Sequence, residues 1–171
     1  MLLELPASFD PFRAAYGAEV LSGQISVAGF ERLKGSVLSI VDDSASIDLH
    51  FGSKRGAKAY LQGTVRVQVE LECQRCLGPM NYALEARVNL AFVRSESEQE
   101  GLPEELEPLL VEGESLDLMA LIEDELILAL PLVPMHPELC LQWQDKEATA
   151  EAAGAERENP FSVLAQLKQD N

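Results

Sequence analysis

The chain has 171 residues, nearly half of them apolar, and a formal net charge of −16. That length suits one domain with extensions or two very small ones, with enough apolar content for one ordinary core. No apolar run reaches the roughly 18–20 residues needed to cross a bilayer. The opening MLLELPASFDPFR carries acids early and no basic start before an apolar stretch, so it does not read as a signal peptide. A soluble, cytoplasmic protein without membrane contact is expected.

Charge is unevenly distributed. Residues 1–95 hold ten Lys/Arg against ten Asp/Glu, whereas residues 96–171 hold three against nineteen and so carry the whole excess. Such a segment repels a polyanion, which makes the neutral first part the better candidate for any RNA contact. The acidic part suits a basic protein partner, although acidic surfaces also serve solubility alone. Three cysteines, Cys73, Cys76 and Cys140, form an odd set that argues against a disulfide framework and fits a reducing compartment.

In chain order, residues 2–16 leave room for a short helix restricted by Pro6 and Pro11. Residues 20–27, 35–41 and 45–51 are strand candidates, with Asp42-Asp-Ser44 supplying turn chemistry between the latter two. The clearest strand comes next. Leu61, Val65, Val67, Val69, Leu71 and Cys73 alternate with polar Gln62, Thr64, Arg66, Gln68, Glu70 and Glu72, which is a sheet with one wet face. Tyr82, Leu84, Ala86, Val88, Leu90 and Phe92 share one register in the succeeding run. Between them, Gln74-Arg-Cys-Leu-Gly-Pro79 predicts a cysteine-bearing knuckle closed by a Gly-Pro turn.

Residues 95–107 are acidic and polar and predict a loop, and residues 109–111 allow one more short strand. A helix is expected over 116–130, capped by Ser115, with Asp117 near its start favoured by the helix dipole. Leu118, Leu121, Ile122, Leu126 and Ala129 recur at helical spacing, Glu123-Asp-Glu125 are expected on the exposed side, and Pro131 and Pro134 end the helix. Residues 142–158 read as an acidic flexible linker rich in Ala and Glu. Asn159-Pro160 then looks like a cap and first position of a terminal helix over 159–171. Its Phe161, Leu164 and Leu167 either dock on a partner or fold back on their own domain. Residues 1–141 are thus expected to form an α+β domain. Its core is an antiparallel β-sheet, curled toward a barrel or open, packed by one main helix.

The sharpest chemical pattern is Cys73-x2-Cys76 in the knuckle with His136-x3-Cys140 just after the helix. Four such ligands suit a structural zinc ion, if the fold brings the two halves together. The alternative is that Cys73 is an ordinary core-facing strand residue and the other three sit in loops by chance. Redox use of the pair is disfavoured. An active Cys-x-x-Cys draws on a helix N-terminus to lower its thiol pKa, and here a strand enters the motif and Gly78-Pro79 leaves it.

For RNA, the candidates are Lys54, Arg55 and Lys58 in a loop between strands, with Arg75 in the knuckle; the plain alternative is a basic loop balancing acidic neighbours. Glu123-Asp-Glu125 cannot converge on one ion, because successive helical residues rotate by about 100°. His50 is a lone strand histidine, and neither a Ser/His/Asp arrangement nor a phosphate-cradling glycine loop is visible. No catalytic residue is expected.

Three segments in this order resemble the YceD family of large ribosomal RNA subunit accumulation proteins. They are Leu71-Glu-Cys-Gln-Arg-Cys-Leu77, Ile122-Glu-Asp-Glu-Leu-Ile-Leu-Ala-Leu-Pro-Leu-Val-Pro-Met-His136 with Cys140, and Asn159-Pro-Phe-Ser-Val-Leu-Ala-Gln-Leu-Lys168. The resemblance covers most of the chain from about Gly63 onward. It implies a role in accumulation or maturation of 23S ribosomal RNA, without established catalytic chemistry. The partner expected on that basis is a large-subunit precursor or a basic ribosomal or processing protein, with direct RNA contact as the alternative.

Overall fold

A computed structural model of the chain describes residues 4–6 and 8–140. Contacts divide the chain into two units, Met1–Cys140 and Leu141–Asn171. The expected linker over 142–158 and the terminal helix with Phe161, Leu164 and Leu167 lie outside the described residues.

The first unit is an α+β fold built on one six-stranded sheet. Its elements run α1 (Pro11–Tyr16), β1 (Val20–Ser26), α2 (Glu31–Ser36), β2 (Ser39–Ile40), β3 (Ser44–Lys54), β4 (Ala57–Glu72), β5 (Pro79–Val93), β6 (Glu107–Leu110) and α3 (Leu118–Leu128). The order across the sheet is β1-β3-β4-β5-β6, with β2 pairing on β4 beyond the end of β3. β1 and β6 are its two edges, so the sheet is open and does not close into a barrel. Every pairing is antiparallel except the last. β6 joins β5 in parallel, after the acidic loop has carried the chain back along the sheet, so the sheet is mixed.

Alternation in β4 and β5 decides which face is buried. Leu61, Val65, Val67, Val69 and Leu71 from β4 meet Leu84, Ala86, Val88 and Leu90 from β5 on one side, while Arg66, Gln68, Glu85 and Arg87 stay exposed. Phe9, Phe51 and Phe92 close one end of this face, Phe9 meeting Phe51 edge-on at 5.5 Å between ring centroids. Gly63 sits where β4 crosses β3 most closely. With φ at +153°, a β-carbon there would lie 2.0 Å from the Asp48 carbonyl oxygen, so the crossing requires glycine.

α3 lays Leu118, Ile122 and Leu126 against the core. It is shorter than the expected 116–130. Leu116 is held back in a bridge to Phe9, and Asp117 rather than Ser115 caps the helix by accepting from the Ala120 N–H.

Two further expectations are corrected at α2. The strand expected over 35–41 is confined to Ser39–Ile40, because Gly35 and Ser36 end a helix, Glu31–Ser36, that is not expected from the sequence. The signal is absent locally because Phe30, at the N-cap, offers no side-chain acceptor. The cap comes from α3, where the Glu123 carboxylate accepts from the backbone N–H groups of Arg32 at 2.8 Å and Leu33 at 3.0 Å. Glu123 is therefore buried, not on the exposed side with Asp124. The Arg32 guanidinium reaches back to Glu123, Asp124 and the Ala120 carbonyl, so α2 and α3 are locked by one shared network.

Candidate metal centre

β4 ends at Glu72 and β5 begins at Pro79, and the six residues between form a closed knuckle. The Cys73 N–H donates to the Gly78 carbonyl at 2.9 Å, and the Leu77 N–H donates back to the Cys73 carbonyl at 2.8 Å. Closing so tight a loop puts Leu77 in the left-handed region at φ +58°, although leucine carries a β-carbon. Its side chain is largely exposed. The result is that Cys73 and Cys76 aim their sulfurs to one side.

The second half arrives on the loop after α3. Ala129 closes the helix, and Pro131, Pro134 and Pro137 keep the next stretch of chain out of regular structure, with bends at residues 132–133 and 137–138. Hydrogen bonds then dock this loop on the knuckle. The Gln74 N–H donates to the Pro134 carbonyl at 2.8 Å, and the His136 N–H points at the Cys73 sulfur at 3.5 Å.

Cys73, Cys76, His136 and Cys140 thereby converge, with all ligand atoms within 4.8 Å of one another. The Cys73 and Cys140 sulfurs are 3.7 Å apart, and the Cys76 sulfur is 3.5 Å from His136 Nδ1. A tetrahedral zinc site has Zn–S near 2.3 Å and Zn–N near 2.0–2.1 Å, which gives edges of about 3.8 Å and 3.5 Å. These two edges match tetrahedral spacing, and the whole set lies within 4.8 Å. Cys73 is fully buried and the other three are half-buried, so the set is closed off on one side by core.

Electrostatics favour a cation here. Burial pushes the Cys73 thiol up, but N–H groups of Cys76, His136 and Arg75 outweigh that and bring it down to about 5. Burial likewise opposes ionisation of Cys140, and hydrogen bonds from Arg75, Cys76 and His136 carry it below its ordinary value. The Gly78 N–H draws Cys76 down, yet the neighbouring Cys140 and Cys73 sulfurs and burial leave it raised. The anionic sulfurs of Cys73 and Cys140 raise His136 in turn. The arrangement can hold a tetrahedral divalent metal ion.

The remaining candidates fall in two places. Lys54, Arg55 and Lys58 stand at the β3–β4 hairpin, where Lys54 pairs with Glu105 at 2.8 Å and Lys58 with Glu98 at 2.7 Å, leaving Arg55 exposed at the tip. Arg75 stands at the other end of β4, a strand of sixteen residues that spans on the order of 50 Å when extended. The fold does not gather these four basic side chains into one patch. Arg75 is turned into the metal centre, a role its position between the two cysteines does not reveal in sequence.

Among the described residues no helix is long and apolar enough to cross a membrane. Comparison with known proteins identifies a family and, among several significant relatives, one that aligns over nearly the whole chain. Residues 61–168, well over half of the chain, match the family model described as "Large ribosomal RNA subunit accumulation protein YceD". A protein of that same description from Haemophilus influenzae is 37% identical over 172 aligned positions, covering 98% of this chain and 98% of its own length. No solved structure matches significantly. The matched span contains the knuckle, α3 and all four converging ligands, and the chain belongs to the YceD family.

Proposed function

We propose that the chain is a non-enzymatic, cytoplasmic factor that supports accumulation of 23S ribosomal RNA by working through protein partners, and that its Cys3His cluster holds a structural zinc ion. Full-length likeness to a protein of that printed role supports the biological part. The single observation that carries the zinc part is the convergence of three sulfurs and one imidazole nitrogen within 4.8 Å, with one sulfur–sulfur and one sulfur–nitrogen separation at tetrahedral spacing. In this role zinc fastens the loop after α3 to the end of the β4–β5 hairpin and contributes folding free energy directly. The residues that hold it are Cys73, Cys76, His136 and Cys140; the ion supplies a fixed cross-link rather than an open coordination position.

Charge favours a protein partner over naked RNA. Residues 96–140 contain thirteen acids and no Lys or Arg. At the hairpin, Lys54 and Lys58 each face a carboxylate. A basic ribosomal or processing protein fits that surface, and a polyanion is repelled by it.

Two measurements test the reading. Depleting the protein should lower 23S relative to 16S ribosomal RNA and reduce free large subunits on gradients. Crosslinking from cells, followed by identification of both protein and RNA, should recover ribosomal proteins; recovery of neither ribosomal proteins nor ribosomal RNA would sink it. The direct-RNA alternative has its own check, reversal of Lys54, Arg55 and Lys58 to glutamate. Ribosomal RNA binding that is strong, salt-sensitive and lost in that variant would favour it.

A further inference from the structure

Arg75 lies between Cys73 and Cys76, so its backbone belongs to the knuckle, yet the hydrogen bonds of its side chain all go to the opposite half of the centre. Nε donates to the Cys140 sulfur at 3.1 Å, and Nη2 donates to the His136 carbonyl at 3.0 Å and to the Glu138 carbonyl. Among the described residues no other Lys or Arg is hydrogen-bonded to any of the four ligands. Three thiolates and a neutral imidazole around a divalent ion leave one net negative charge. That charge sits in an acidic environment, since the loop carrying His136 and Cys140 belongs to the stretch from 96 to 140 that has no Lys or Arg.

We propose that Arg75 is the charge-balancing partner of the metal-loaded centre, its guanidinium neutralising the residual negative charge at Cys140 and slowing release of the ion. The inference rests on the zinc reading and adds a specific positioning residue to it. The physical basis is geometry and charge. Metal loss begins when one ligand lets go, and His136 and Cys140 are the pair carried on a loop without regular structure. A planar guanidinium anchored to two carbonyls of that loop keeps it against the knuckle, while its Nε–H remains opposite the sulfur. Partners of this kind, which touch a ligand rather than the ion, typically change metal affinity by roughly 10–100-fold.

The test uses full-length protein purified without a histidine tag, as wild type, Arg75→Gln and Arg75→Lys. Zinc release is timed with a chromogenic chelator, and cobalt(II) is substituted to read the thiolate-to-metal charge-transfer band. Arg75→Gln should keep one metal per chain and a tetrahedral cobalt spectrum, release zinc about 10–100-fold faster, and shift that band. Arg75→Lys keeps a point charge but not the fork, and should fall between. Release from Arg75→Gln at the wild-type rate would overturn the proposal, as would unchanged metal kinetics accompanied by loss of ribosomal RNA binding. Should Arg75→Gln fail to fold, Arg75→Lys decides alone: several-fold faster release supports the proposal, and wild-type release overturns it. Wild-type protein without stoichiometric metal would instead overturn the zinc reading itself.

Discussion

The two ends of β4 are held by different physics. At the hairpin end, Lys54 and Lys58 reach Glu105 and Glu98 across water-exposed surface, above a small satellite cluster of Ala57, Ala91 and Leu106. At the knuckle end, Cys73 is fully buried and four ligand atoms crowd within 4.8 Å. Exposed ion pairs contribute little, because solvent already stabilises the separated charges. A metal cross-link contributes far more, and it is lost all at once. The acidic loop is therefore expected to open and close readily, and the loop after α3 to be fixed once the proposed ion is bound.

Breaking the knuckle end should give the largest effect. Cys73→Ser, or chelation of the wild type, should abolish stoichiometric zinc and cost on the order of 4–5 kcal/mol, read as a large fall in Tm by calorimetry. An unchanged Tm on chelation would erase the contrast. Next comes Glu123→Ala, which strands two backbone N–H groups of α2 and removes one of the three partners of the Arg32 guanidinium. A loss of about 2–4 kcal/mol in urea unfolding is expected, with zinc content unchanged, so packing between α2 and α3 can be separated from the metal clasp.

A smaller effect of opposite sign is expected from Leu77→Gly. Glycine relieves the left-handed strain at φ +58°, and the gain of about 1 kcal/mol should appear in zinc-loaded protein by the same unfolding assay. Equal or lower stability would mean that the exposed leucine contributes something the strain does not outweigh.

The smallest effect belongs to the hairpin end. Lys54→Gln with Lys58→Gln should leave the urea midpoint nearly unchanged, while raising amide exchange across residues 96–105. Acid should act the same way. The Arg94 N–H and then Lys58 hold Glu98 below its ordinary value of 4.5, and Lys54 does the same for Glu105. Carboxylates lowered in the folded state stabilise it above their unfolded value, and that contribution disappears as pH falls through the depressed values. Loop protection factors, corrected for the intrinsic pH dependence of amide exchange, should therefore fall below about pH 4.5 and stay flat above it.

Legibility in the sequence divides along similar lines. Period-two alternation in β4 and β5 is a local signal, and it marks both strands and the buried face. The Cys3His cluster is legible for a different reason: two pairs at short spacing are readable singly, and only their meeting requires the fold. Contacts spread far along the chain leave no such mark. The cap of α2 lies about ninety residues downstream in Glu123, so the helix that no local signal announces and the buried glutamate expected on the exposed side have one cause. The parallel β6 escapes for want of any signal in four residues, Glu107–Leu110, that distinguishes the direction of pairing. Arg75 is hidden because nothing in the spacing of a Cys-x2-Cys motif says where the intervening side chain points.

Cys73 and Cys140 are sixty-seven residues apart, with β5, β6 and α3 between them. Closing so long a loop is entropically costly before the intervening strands and helix have formed. The knuckle can offer two sulfurs as soon as a hairpin exists, whereas His136 and Cys140 arrive only when α3 has docked. The four side chains thus meet late in folding, and an ion held by all of them would mark a molecule that has finished.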